Sequence, residues 1–597
     1  MRVKQILCAL AAAGFLTACS SGSDSSNPSA TAPSHAGSSQ SASAPASTAG
    51  APAAPSSQAL PEVVKMADRH HFSPDITADD FVTDVKVLGS DAFGGRKPGS
   101  PGATLTTNYL IAQFKRMGLQ PGNHGQWLQA VPVVSTELTN TDVTLDMHAG
   151  QQNLPFAYRK DMIVATLQGK PKVSLDKSDV VFVGYGIDDP AQHWNDYKGV
   201  DVKGKTVVVL VNDPGYASGN PKLFKGRTMT YYGRWTYKYE EAARQGAAAC
   251  LIVHATGAAG YPWSVVKNSW SGPQFDLPSS EDPAPRLPVA GWLTGDAARA
   301  LFKAAGKSFD QLAKAAGRRG FKPVQLDATA SITLDSRIGH FQSHNVLAKV
   351  PGSQYPDEAV IYSAHWDHLG TDPSLQGDQI YNGAVDNGTG VAALLELAGK
   401  FAAQKPAPKR SVLFAAVTLE ESGLLGSKYY AAHPVFALDK TVADINMDAL
   451  APIGRAHNIT VVGLGQSQLD DYLKAAVAMQ NRHLSGEDSP EKGFYFRSDH
   501  FSFAKAGVPA LDVESGEDLL EGGMKAGRAA SADYTAHRYH TPADEYSDSW
   551  KLGGIIEDVQ ALYDVGHTLS DKHVFPAWSR DSAFRAKRVK MMQHSSK

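Results

Sequence analysis

The 597-residue chain predicts an α/β fold, built on a mixed, mainly parallel sheet with helices on both faces and carrying an inserted α/β module. Three observations predict it. After Ser343, short apolar runs of strand length alternate with longer stretches of helical period. In the stretch Gly388 to Phe401, Val391, Leu394, Leu395 and Ala398 fall on one helical face. The length exceeds what one hydrophobic core organises, so two or more domains are expected.

The amino-terminal end reads as an export signal. Arg2 and Lys4 precede an apolar run from Ile6 to Leu16, long enough for a signal-peptide core and too short to span a bilayer. Leu16-Thr17-Ala18-Cys19 resembles a bacterial lipobox. It predicts removal of residues 1–18, membrane attachment through a lipid anchor at Cys19, and an exported lipoprotein in the periplasm or at the surface of a bacterium. Residues 19–59 are mostly Ser, Ala, Pro, Gly and Thr with almost no large apolar side chain, so they read as a disordered tether. With Cys8 and Cys19 assigned to these segments, Cys250 has no disulfide partner and reads as a buried thiol in an apolar strand.

Folded sequence begins near Leu60. Ser100-Pro101 reads as an N-cap followed by Pro at the first helical position, opening a helix to about Met117. Residues 60–136 form the first part of the main domain and residues 137–336 the inserted module, with strands at Val180–Val183, Thr206–Val211 and about Cys250–His254 and a helix at Tyr237–Gln245. Residues 337–575 complete the main domain. Its strands are expected at Asn345–Val350, Ala359–Ala364, Ser411–Thr418, Val442–Met447 and Asn458–Gly463, and its further helices at Leu469–Gln480 and Ile555–Leu569. Residues 576–597 read as a basic, solvated tail. A net charge of −3 lacks the positive excess of a nucleic-acid binder, so no nucleic-acid partner is expected.

The residues with chemistry gather where these strands end, which is where open α/β sheets place their functional groups. They are His365-Trp366-Asp367-His368, Asp386-Asn387 before a helix, Glu420-Glu421, Asp448, and Tyr539-His540 before the last helix. A strand-end Asp is more often a cap and paired glutamates are usually solvated. Imidazole and carboxylate together, however, are the usual first shell of catalytic zinc.

These segments resemble the M28 family of co-catalytic zinc peptidases, as do Arg497-Ser498-Asp499-His500-Phe501, Ala506-Gly507-Val508-Pro509-Ala510 and Gly94-Gly95-Arg96. Val183-Gly184-Tyr185-Gly186-Ile187 and Asp196-Tyr197-Lys198-Gly199 resemble the protease-associated domain inserted in some members. The resemblance implies a zinc exopeptidase fold and two Zn²⁺ per chain. Asp386 would bridge them, His365 and Asp448 would complete one shell, and Glu421 and His540 the other. It further implies Glu420 as general base, Asp367 as the orienter of the His365 ring, Tyr539 as the group that polarises the substrate carbonyl, and peptides as substrates. His368 and His500 read as loop, core or supporting residues.

The activity the resemblance implies is most simply an aminopeptidase. A glutamate-carboxypeptidase-like hydrolase or a dipeptidase is the alternative. A glutaminyl cyclase uses a single zinc in a similar fold, and a non-catalytic receptor would have lost ligands that are all present here. The aromatic stretch Met229 to Tyr237 fits core, or a substrate-facing lid from which Arg234 could reach a substrate carboxylate. Gly199 to Thr206 fits the P-loop pattern by letter, but it precedes a strand instead of following one, so it reads as a turn.

Overall fold

In the computed structural model, residues 60–140 and 142–595 are described. The signal segment, Cys19 and the tether lie outside the described residues. Among the described residues no helix is long and apolar enough to cross a membrane.

Four parallel strands form the centre of the main sheet, in the order Arg410–Val417, Tyr355–His365, Thr441–Met447 and Ala510–Ser515. Antiparallel neighbours close both sides: the carboxyl half of Val324–Val350 beside Arg410–Val417, and Asn458–Val461 beside Ala510–Ser515. The sheet is therefore mixed and mainly parallel. Strand Arg410–Val417 shows why both faces must be covered, because every residue in it is buried. Val412, Phe414 and Ala416 pack toward Leu110, Phe114, Leu394 and Leu562, while Leu413, Ala415 and Val417 pack toward Tyr430, Phe503 and Ala504. Successive side chains point to opposite faces, so an unbroken apolar run needs helices on each.

The first helix of that core, Pro101–Arg116, starts as its sequence predicts, with the Ser100 hydroxyl accepting from Ala103 N–H and Pro101 in its first turn. Gly390–Ala403 differs from a one-faced helix. Ten of its residues are buried, because it lies between the sheet and the helices Ala78–Leu88 and Gly553–Asp571. Gly553–Asp571 carries Gly566 against the sheet, where a Cβ would clash with the Tyr362 hydroxyl.

Residues 144–334 build a second sheet with its own apolar cores. Lys172–Phe182, Thr206–Leu210, Ala249–Val253 and Val289–Leu293 run parallel, flanked by antiparallel strands. Cys250 is fully buried in it, and burial pushes its thiol far above the ordinary range. Asp196 ties the Gly184–Ile187 turn, accepting from Ile187 N–H and from the Trp194 indole. The 27-residue strand Val324–Val350 belongs to both sheets: its first half pairs with Lys172–Phe182 and its second with Leu128–Leu138. Among the described residues no linker marks the edges of the middle segment. Leu138 lies opposite Ser336, so the chain leaves and returns on one rung of the same ladder.

The described part of the carboxyl-terminal tail is only partly solvated. Trp578 and Phe584 are buried, and the helix Arg585–Ser595 sends Arg588 inward to the carbonyls of Leu438 and Thr441. Basic composition suggested solvent exposure, which holds for Lys587 and Lys590 but not for Arg588, buried against main-chain acceptors.

Candidate metal centre

Parallel strands align their carboxyl ends at one edge, and there the predicted residues meet. His365 is the last residue of its strand, Asp448 follows Met447, and Glu420 and Glu421 lie just past Val417. Asp386 arrives from the turn before Gly390–Ala403, and His540 from the segment after the helix Gly523–His537. Leu419, Ala449 and His540 adopt positive φ (60°, 53° and 56°), a conformation that L side chains rarely take and that tertiary contacts must hold. Asn387 supplies one such contact, its Oδ1 accepting from Ala449 N–H at 3.1 Å and from Gly390 N–H at 2.9 Å.

The donors form two sets sharing Asp386. On one side, His365 Nε2 lies 3.3 Å from Asp386 Oδ1 and 3.1 Å from Asp448 Oδ1. On the other, His540 Nε2 lies 3.2 Å from Asp386 Oδ2 and 3.3 Å from Glu421 Oε2. Ligands about 2.0–2.2 Å from a tetrahedral zinc are about 3.3–3.6 Å from one another. The observed spacings fall within a few tenths of an ångström of that range, so the residues present fit two such cations. His368 also lies near Asp386 and Glu421, but through a 2.6 Å contact from Nδ1 to Glu421 Oε1.

Electrostatics mark the same place. Burial opposes charge on His365, yet Asp448 and Glu420 push the ring well above its ordinary range. Burial likewise opposes charge on His540, while Glu421 and Asp386 push it up to about 9. Burial, with Asp448 and Glu421 adding to it, raises Glu420 well above the carboxylate range against the pull of His365. Its Oε2 stays 4.0 Å from His365 Nε2, and its N–H donates to Asp367 Oδ1 at 3.2 Å.

Two expected placements differ in detail. The Asp367 carboxylate is 3.9 Å from His365 Nδ1; the ring nitrogen meets the Asp367 carbonyl oxygen at 3.1 Å instead, so the main chain of Asp367 makes the contact expected of its side chain. Tyr539 stacks on His540, with ring centroids 3.9 Å apart. His500 is turned away, toward Asp512.

Several supporting residues escaped the sequence reading of roles. Asp544 accepts from Val385 and Asp386 N–H, both at 3.0 Å, and so aims the shared carboxylate. Ser498 donates to Asp448 Oδ2 at 2.6 Å. Fully buried Arg96 donates to the carbonyls of Leu88, Trp366, Asn382 and Gly383, stitching together the loops that carry His365 and Asp386. Ser498 and Arg96 lie in motifs that the resemblance had picked out, but the partners of all three are remote in sequence. The aromatic stretch is mostly packed: Met229 is buried against Tyr495 and Phe496, and the Tyr231 ring meets Phe501 at 5.6 Å.

An α/β protein with two carboxylate–imidazole donor sets on the carboxyl edge of its parallel strands is thus defined. Residues 345–563, which include His365, Asp386, Glu421, Asp448 and His540, match the model of peptidase family M28. A vacuolar membrane protease of Candida glabrata is 36% identical over 110 residues, covering 18% of this chain and 10% of that protein. A probable zinc metalloprotease of Pyrenophora teres f. teres is 30% identical over 210 residues, covering 34% of this chain and 39% of that protein. The chain thus spans between a tenth and two-fifths of the length of these two relatives. An aminopeptidase from Aneurinibacillus sp. strain AM-1 superposes with a TM-score of 0.46 at 20% identity, covering 86% of this chain and 97% of that one. The curated relatives overturn one expectation. They include membrane proteases of a fungal vacuole, an organelle membrane of eukaryotes, so the placement in a bacterial periplasm or cell surface is withdrawn.

Proposed function

We propose that this chain is a zinc-dependent exopeptidase that holds two Zn²⁺ and removes N-terminal residues from peptides. One observation carries the reading: the two oxygens of Asp386 face two separate donor sets, His365 with Asp448 and His540 with Glu421. When bound there, zinc supplies Lewis acidity to the scissile carbonyl and to an attacking water. Glu420 is the general base. It stands outside both donor sets, its N–H held by Asp367, and its raised pKa suits a carboxylate that takes a proton from water and passes it to the leaving amine. Asp367 fixes the His365 ring through its carbonyl, and the Tyr539 phenol donates to the developing oxyanion. Residues 137–336 act as an inserted protease-associated module beside this centre.

A specific observation favours a second reading, a hydrolase that recognises a substrate carboxylate. Arg234 and Arg497 lie near each other beside Tyr261, and Arg497 also senses the Tyr539 phenol. Among the described residues neither has an ion-pair partner, and the Nε of each is buried without a hydrogen bond. Unpaired, desolvated guanidinium groups favour an anion between them.

Protein prepared with Zn²⁺ tests both readings. Elemental analysis should find two zinc ions per chain, and amino-acid arylamides should be cleaved while N-acylated dipeptides are not. The Glu420→Gln variant should keep both metals and lose about 100-fold or more in kcat. Cleavage of N-acylated dipeptides alone supports the second reading. Absence of bound zinc sinks both.

A further inference from the structure

The two oxygens of Glu421 do different things. Oε2 faces His540 Nε2 at 3.3 Å, whereas Oε1 meets His368 Nδ1 at 2.6 Å. That second distance excludes Nδ1 of His368 as a ligand beside Glu421 Oε1 on one ion. Two atoms bound to one zinc at about 2.0–2.2 Å stay about 2.9 Å apart even at a right angle, and further apart in a tetrahedron. A contact of 2.6 Å is instead the length of a short, charge-assisted hydrogen bond.

The other ring nitrogen agrees. His368 Nε2 is buried and has no hydrogen-bond partner among the described residues. A proton there would be a buried donor without an acceptor, which costs about 1–3 kcal/mol. The proton therefore belongs on Nδ1, where it points at the Glu421 carboxylate.

The ring has a built seat. Gly383 lies against it at φ 57°, and a Cβ on Gly383 would come 2.6 Å from His368 Cδ2. The Gly383 carbonyl is in turn held by Arg96 Nη2 at 2.8 Å. On its other side the ring meets His540 edge-on, with centroids 5.7 Å apart at 74°. Fully buried and enclosed in this way, His368 cannot swing off its acceptor without moving the main chain.

We propose that His368 is a positioning residue: it donates Nδ1–H to Oε1 of Glu421 and so leaves Oε2 as the oxygen presented beside His540. The proposal rests on the dinuclear reading above, in which Glu421 and His540 serve one cation. It predicts that His368 governs how tightly one of the two ions is held and has little influence on the other.

The test is a competitive zinc titration on full-length protein, comparing wild type with His368→Ala and His368→Asn, the latter placing an amide donor near Nδ1. His368→Ala should weaken one zinc by roughly 10- to 100-fold and leave the other near its wild-type affinity. His368→Asn should recover most of the loss. The Co²⁺-loaded forms of wild type and His368→Asn should share the same visible spectrum. If His368→Ala fails to fold, judged by the melting temperature of zinc-free protein, His368→Phe refills the space without the donor and carries the same expectation. Unchanged affinity at both ions, failure of Asn to rescue, or a Co²⁺ spectrum showing a lost imidazole ligand in His368→Asn would each overturn the proposal. Wild type that binds two zinc ions but cleaves no peptide would refute the exopeptidase reading and leave the His368 test intact.

Discussion

Replacing Asp544 by Asn isolates the residue that aims Asp386, the proposed shared ligand. Asp544 is fully buried, and its two carboxylate oxygens accept the N–H groups of Val385 and Asp386 at 3.0 Å each, while Tyr534 donates to Oδ2 at 3.2 Å. A hydrogen bond to a charged group contributes about 1.5–3 kcal/mol, and a neutral one about 1 kcal/mol. An Asn side chain keeps one neutral acceptor and turns an NH₂ group toward the second N–H, so the loss comes to about 2–5 kcal/mol. Part of that loss falls on global stability. The rest falls on the Ala384–Thr389 turn, whose displacement moves Asp386 away from both donor sets. Urea melts of zinc-free protein measure the first part and chelator competition the second, where both zinc ions should weaken together. Unchanged melts together with unchanged affinities would refute the claim that this carboxylate holds the turn.

Burial pushes the Glu396 carboxyl up to about 9 from an ordinary 4.5, and nearby Asp84 and Asp80 add to the shift. Between those values the folded chain keeps a proton that the unfolded chain releases, so Glu396 makes stability fall as pH rises from about 5 to 9. Glu396→Gln preserves an acceptor for Thr77 N–H, bonded at 2.7 Å, and should flatten the decline of melting temperature over that window. Gly566→Ala should destabilise by about 1–2 kcal/mol despite the better helix propensity of Ala, because of the clash with the Tyr362 hydroxyl. Combining it with Tyr362→Phe should return part of the loss in denaturant melts, whereas strict additivity would contradict the clash. Arg588→Ala removes donors from the Leu438 and Thr441 carbonyls and should cost about 1–3 kcal/mol; thermal melts matching wild type would show that the tail adds nothing.

Sequence alone determined the alternation of strands and helices, the Ser100 cap, and the residues that carry imidazole and carboxylate at the carboxyl ends of the strands. These are local properties: a cap needs its own turn, and an apolar run declares a buried strand without reference to its neighbours. The mainly parallel order of the central strands followed from the same alternation, since parallel neighbours need a crossover between them. What only the tertiary structure decided depends on partners far apart in the chain. Asp544 meets Asp386 across 158 residues, and Arg96 reaches Gly383 across 287. The positive φ of Leu419, Ala449 and His540 carries no signature in side chains that ordinarily avoid it. The same holds for His368: composition offers a histidine near a site, but only the 2.6 Å approach of one nitrogen, and the isolation of the other, separates a hydrogen-bond donor from a metal ligand.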